Sequence, residues 1–178
     1  MISRFRRWTL SLSTVALCFT ANGASSAEGF EQHEAHEHGK VTLNVAIESN
    51  RLTIELDSPA ANVVGFEHAP RTYTEKAAAI EAGAFLTSAK GLFGVPAAAG
   101  CRSTEVKLTP PQWDEHEGHA DYEVLFVYQC DAPEKLLWIE PWLLDKLRNV
   151  TEARVNTITA AGQHSEVVTH PRARIALK

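Results

Sequence analysis

Six of the eight histidines in this sequence fall into three groups with carboxylates. The first is His33-Glu34-Ala35-His36-Glu37-His38, the second Glu67-His68, and the third runs Asp114-Glu115-His116-Glu117-Gly118-His119-Ala120-Asp121. Neutral imidazole is the commonest protein ligand for zinc, copper and nickel, and a neighbouring carboxylate serves as an oxygen ligand or as the acceptor that orients the ring. Residue types and spacings of this kind point to capture of a divalent cation. Each group also has a plainer reading: a solvated tail, a core or capping histidine, and a charged hairpin tip, respectively. On its own residues His68 fits the plainer role better, whereas the tail is assigned to capture because the other histidines cluster with acids too.

Catalysis is not expected. A zinc-protease signature needs His-Glu-x-x-His on a helix, and both near matches, His33-Glu34-Ala35-His36 and His116-Glu117-Gly118-His119, are one residue short and lie in loops. The order Asp114 to Asp121 also lacks the alternating acids and central glycine of a calcium-binding loop. Met1 is the sole methionine, so no thioether is available for Cu(I) beyond the leader described next, while imidazole with carboxylate suits Zn²⁺, Ni²⁺ and Cu²⁺ alike.

Arg4, Arg6 and Arg7, then the apolar stretch Trp8 to Phe19, then Ser25-Ser26-Ala27, form a secretory leader that predicts cleavage after Ala27 and export as a soluble protein. The apolar stretch is too short for a membrane span, and Leu17 before Cys18 is bulkier than a lipid-attachment site wants. Removing 27 of the 178 residues leaves 151, the size of one domain. Cleavage removes three of the 17 Lys and Arg residues and none of the 22 acids, so the mature chain is strongly acidic. That field attracts cations and disfavours nucleic acid.

Cleavage also removes Cys18, leaving Cys101 and Cys130. They bracket two strand-like runs, Cys101 to Leu108 and Tyr122 to Cys130, which as an antiparallel hairpin would set the two cysteines opposite each other, within disulfide range. Oxidation is the expectation for an exported protein; a thiolate metal site is the alternative, disfavoured by the absence of Cys-x-x-Cys spacing.

The remaining elements must hold these groups in place. Val41, Leu43, Val45 and Ile47, a turn at Glu48 to Arg51, then Leu52, Ile54 and Leu56 predict a β-hairpin with one buried face. Extending its first strand backwards would put His36 and His38 on the side of Thr42 and Asn44. Ser58 to Pro70 reads as a structured loop. Thr74 is the expected N-cap of an alanine-rich helix to about Lys90, and Pro133 to Asn149 predicts a second helix from about Pro141, with Trp138 and Trp142 as core anchors. Glu152 to Ala160, Ser165 to Val168 and Ala173 to Leu177 are expected strands, with His164 and His170 solvated near turns. The fold class is therefore α+β: a predominantly antiparallel sheet, ordered strand-strand-helix, strand-strand-helix, then two or three closing strands, with two helices packed on it. The domain plan is a leader (1–27), a mobile histidine-rich arm (28–39) and one metal-binding domain (40–178).

The leader, the His38-Gly39 step before a hairpin, Ser58-Pro59, Gly65-Phe66-Glu67-His68, His119-Ala120-Asp121 and the Cys101 and Cys130 pair together resemble the ZrgA-type periplasmic zinc-uptake proteins of Gram-negative bacteria. The resemblance covers most of the mature chain and implies help with zinc acquisition alongside an import system, a zinc ABC importer or its binding protein. Many such proteins carry a long His/Asp-rich insert where this chain has Thr109 to Ala120. Here the insert is reduced to the neighbourhood of Asp114 to His119, a departure that argues against high-capacity zinc storage and leaves an ordered site open. On this resemblance His68 and His119, with Glu67 or Asp121, are the candidate ordered Zn²⁺ site, His116 is an auxiliary ligand, and His33, His36 and His38 belong to the arm. Zinc needs neutral imidazole, so binding is expected to fade as pH falls through the ordinary histidine range, about 6.5. The competing reading from another class is an exported interaction module, with tryptophans docking a partner and histidines serving only solubility; a Ni²⁺- or Cu²⁺-binding protein is the competing metal assignment.

Overall fold

The alternation of apolar residues along 41–56 makes the centre of the molecule. β1 (Lys40–Glu48) and β2 (Arg51–Pro59) pair antiparallel around a two-residue turn, with Val45 opposite Ile54 and Leu43 opposite Leu56. The computed structural model describes residues 37–88, 91–113 and 120–177, all within one compact unit. The leader, His33, His36, His116 and His119 lie outside the described residues.

β2 continues into a four-residue helix, α1 (Ala60–Val63), and a loop leads to α2 (Tyr73–Thr87). β3 (Cys101–Thr109) and β4 (Asp121–Cys130) form the second hairpin, then come β5 (Trp138–Ile139), α3 (Leu143–Lys146), β6 (Glu152–Thr159), β7 (Gly162–Val168) and β8 (Ile175–Ala176). Six strands make one sheet in the order β3-β4-β2-β1-β6-β7, antiparallel except for the parallel pair β1 and β6; β5 and β8 form a separate two-stranded ribbon. One face of the sheet carries the core, including Val41, Leu43, Val45, Leu52, Ile54, Leu56, Tyr122, Val124, Phe126 and Val155. The period-2 pattern thus did what a half-buried strand requires, burying one parity and solvating the other.

The second hairpin is closed where the opposed cysteines suggested: Cys101 is the register partner of Cys130, and the two are joined by a disulfide. The α+β class and mostly antiparallel sheet agree with the sequence, but two helical assignments need correction. The long helix starts two residues earlier than expected, because the cap is Thr72: its hydroxyl accepts the Glu75 N–H at 3.2 Å and the Glu75 carboxylate accepts the Thr72 N–H at 3.0 Å. Thr72 has a glutamate three residues on, the spacing a reciprocal capping box needs, and Thr74 has only Ala77. The second helix is reduced to Leu143–Lys146. Leu136, Ile139, Leu143 and Leu147 are all buried at helix-like spacing, yet Ile139 lies in β5, paired with Ile175, and Glu140 exchanges both backbone bonds with Gly94. Those pairings claim the backbone groups a helix would have used.

The last predicted strand also departs from expectation, since β8 pairs with β5 rather than closing the main sheet. Trp138 and Trp142 are half-buried rather than central in the core. Arg174 stacks over Trp138 at 4.4 Å and Arg172 over Trp142 at 4.9 Å, and the buried Glu140 carboxylate joins Arg174 and the Trp142 indole N–H.

Candidate functional site

The antiparallel registers bring the starts of β1 and β4 and the end of β2 to one end of the sheet. Pro59 pairs with Asp121, and the N–H of Ala60, the first residue of α1, donates to the Ala120 carbonyl at 2.7 Å. Ala120, where the described chain resumes after Trp113, therefore lies at this end. The Trp113 ring lies 5.8 Å from that of Phe66, and Phe66 stacks on the His68 imidazole at 5.2 Å.

Before β1 the chain turns rather than extending as a strand. Gly39 takes a φ of +85°, a conformation open to glycine without strain, and the Lys40 N–H reaches back to the Glu37 carbonyl at 3.1 Å. The conditional extension that would align His36 and His38 is thus interrupted. His38, grouped by sequence with the arm, instead sits in a hydrogen-bonded turn, and its Nε2 lies 3.2 Å from Glu67 Oε2. The other acid beside it, Glu37, is engaged by the Lys40 ammonium, which holds the Glu37 carboxyl below its ordinary range. Glu67 is the carboxylate left facing the ring.

Both partners are within reach of solvent ions: the His38 side chain is 69% exposed and that of Glu67 27%. As an ion pair at such exposure the contact contributes little, about 0 to 1 kcal/mol. As a ligand pair it has a useful dimension. With bonds of about 2.0 to 2.1 Å, two ligands of a tetrahedral zinc ion stand about 3.4 Å apart, so the observed 3.2 Å needs only a few tenths of an ångström of adjustment.

His68 is exposed, and its Nδ1 lies 3.0 Å from the Ala69 carbonyl. In the neutral tautomer that donates Nδ1–H to this carbonyl, Nε2 keeps its lone pair for a metal, the arrangement by which an outer acceptor fixes a ligating ring. Glu75 lies near enough that the positive form of His68 contributes to holding the Glu75 carboxyl below its ordinary range, after the larger effect of the Thr72 and Arg71 backbone N–H donors. Asp121 is half-buried as the first residue of β4. His164 lies 3.7 Å from Glu166 on β7, and both His164 and His170 are exposed, as expected of solvated positions.

Of the sequence-nominated ligands, the structure thus brings together His38 and Glu67 and sets His68 one residue along. Among the described residues, no three histidine, cysteine or carboxylate side chains are grouped so as to hold a metal ion. Sequence reasoning passed over Asn62, whose buried amide bonds to both Gly39 and Lys40. Its signal, a polar residue within Ala60-Ala61-Asn62-Val63-Val64, was present but was absorbed into a structured loop.

A family model described as ZrgA family zinc uptake protein matches residues 35–177. No curated protein matches the chain.

Proposed function

Because this chain belongs to the ZrgA family of zinc uptake proteins, we propose that it is a periplasmic, non-catalytic zinc-binding protein that passes its cargo towards an import system. The observation that carries the reading is the His38 and Glu67 contact, two zinc-type donor atoms 3.2 Å apart on an accessible surface. In this reading His38 and Glu67 supply two ligands of the ordered site. His68 lies next in sequence to Glu67, and His119 is covalently one residue from Ala120, whose carbonyl is bonded to α1; these two histidines are the remaining ligands. Asp121 is a further oxygen donor or orienting group, and His116 is auxiliary. His33 and His36 make an arm that raises the local chance of capture. Fixing such an arm costs roughly 1 to 2 kcal/mol per residue, so by itself it binds more weakly than the ordered set.

Export is supported by the leader sequence and by a disulfide of the kind that persists in oxidising compartments. Among the described residues no helix is long and apolar enough to cross a membrane. Delivery to an ABC importer or its binding protein follows from uptake as the family's role, since an exported zinc carrier needs an acceptor.

Calorimetric titration of untagged mature protein with Zn²⁺, and separately with Ni²⁺ and Cu²⁺, tests the reading in wild type, His38→Ala/Glu67→Ala, His68→Ala/His119→Ala and a variant lacking residues 28–36. The expected result is that each double substitution weakens the tightest zinc event by tenfold or more, while arm removal lowers stoichiometry or weak binding. If both double substitutions leave that event unchanged and arm removal abolishes it, the arm is the site and the proposal fails.

A further inference from the structure

Asn62 is 1% exposed, and both ends of its side chain bond to the turn that follows His38. Its Oδ1 accepts the Gly39 N–H at 2.7 Å and its Nδ2 donates to the Lys40 carbonyl at 2.7 Å. From the other side the Gly39 carbonyl accepts the N–H groups of Thr151 and Glu152 at 2.8 and 3.0 Å and the Thr151 hydroxyl at 3.2 Å. Gly39 is therefore gripped between α1 and the start of β6, and His38 is the residue immediately before it.

The same Asn62 belongs to the segment that delivers Glu67. Val64 and Gly65 return their N–H groups to the Ala60 and Ala61 carbonyls at 2.8 and 3.1 Å, and Gly65, at φ +88°, turns the chain towards Phe66 and Glu67. Two short paths thus start at one amide, one through hydrogen bonds to His38 and one along the chain to Glu67, and they meet at the 3.2 Å contact. A largely exposed imidazole on an untethered turn would sample many positions, and each would have to be given up on binding an ion.

We infer that Asn62 is the positioning residue that sets the separation of His38 from Glu67 and so pre-forms half of the zinc site. This rests on the reading of that pair as zinc ligands. Asn62 touches no metal itself; it acts through the turn, as outer residues that orient metal ligands do, and loss of such a residue typically lowers affinity by about 10- to 100-fold. A merely structural amide would also satisfy the buried Gly39 N–H, but its loss would cost stability without altering zinc affinity in a way that depends on His38.

A double-mutant cycle separates the two roles. Zinc affinity is measured by competition with a chromophoric chelator for wild type, Asn62→Ala, His38→Ala and Asn62→Ala/His38→Ala, below the unfolding transition of each. Asn149→Ala serves as control, since it loses a 2.9 Å bond to the Ala61 carbonyl on the same helix. The expected result is a tenfold or greater loss for Asn62→Ala, no further loss when it is added to His38→Ala, and wild-type affinity for Asn149→Ala. Additive losses, or an unchanged Asn62→Ala, overturn the inference while leaving the site intact. Unchanged affinity in His38→Ala instead overturns the site. Should Asn62→Ala not fold, amide hydrogen exchange on the wild type decides. Saturating zinc should protect the Gly39 N–H more than amides near Ser49 and Gly162 at the far end of the sheet, and equal protection refutes the coupling.

Discussion

Removing the Cys101 and Cys130 cross-link should separate stability from zinc binding, because the bridge and the proposed site lie at opposite ends of the sheet. The bridge closes a separation of 29 residues, for which the chain-entropy relation gives about 3.5 kcal/mol of constraint on the unfolded chain. Cys130 is buried, so replacing both residues by alanine adds a packing loss of about 1 kcal/mol. A domain with a total stability of roughly 5 to 15 kcal/mol feels this strongly, and at about 2 to 4 °C per kcal/mol the melting temperature should fall by roughly 10 °C or more. The ten residues of β4 separate the bridge from the Asp121 end at about 3.3 Å per step, roughly 30 Å in all. Nothing in the disulfide touches His38, Glu67 or Asn62 across that distance, so zinc affinity should stay within about twofold. Urea denaturation of Cys101→Ala/Cys130→Ala against the oxidised wild type measures the first quantity and calorimetry at 15 °C the second. A stability difference below about 1 kcal/mol refutes the entropic reasoning. A tenfold loss of zinc affinity in the folded variant refutes the spatial separation.

Thr72→Ala removes the hydroxyl of the capping box and should cost about 1 kcal/mol, read as a lower melting temperature with zinc affinity retained. Gly94→Ala places a Cβ 2.5 Å from the Trp142 ring; the indole must shift, and a loss of about 1 to 3 kcal/mol with altered tryptophan fluorescence is expected. Glu140, held below its ordinary range by the Trp142 N–H and Arg174, and Glu75, held down by the Thr72 and Arg71 N–H groups, give stability a defined pH dependence. Carboxyls depressed on folding contribute fully above their ordinary range, and that contribution disappears as pH falls through the depressed folded values. Acid titration of stability should therefore be shallower below about pH 4.5 in Glu75→Gln and Glu140→Gln than in wild type, and unchanged steepness in both would contradict the assignment.

The strands were legible wherever local pattern and tertiary burial agree. Val41 to Ile47 and Leu52 to Leu56 alternate because one face of β1 and β2 is core, and Cys101 met Cys130 because a hairpin's ends are opposed by its own closure. The parallel pairing of β1 with β6 joins residues 112 apart, such as Asn44 and Asn156, and no local pattern encodes it. The second helix misled for a related reason. Its buried residues recur at a helical interval, but Ile139 belongs to a strand paired with Ile175, and Glu140 is bonded to Gly94, partners distant in sequence.

At the candidate site the same limit falls between residue type and residue pairing. Histidines beside acids nominate candidate ligands from the sequence alone, yet they do not say which acid meets which ring. Glu37 is the neighbour of both His36 and His38, and the fold gives Glu37 to Lys40 and brings Glu67 across to His38. The amide we infer to make that choice is one which no metal-binding pattern would include. Asn62 is buried, uncharged and flanked by alanine and valine, and it is legible only once β1 and α1 are seen to share it. Because the pairing starts from a backbone turn held by two 2.7 Å bonds, the separation of His38 from Glu67 depends on the fold as well as on the two side-chain rotamers. Substitutions that change the Gly39 conformation should then disturb zinc binding as much as loss of a ligand. Gly39→Ala is the direct case: its Cβ would lie 3.0 Å from the Thr151 hydroxyl at a φ of +85°, so the turn must open or strain. Zinc affinity in that variant should fall towards that of His38→Ala, and retention of wild-type affinity would show that the pairing survives without the turn.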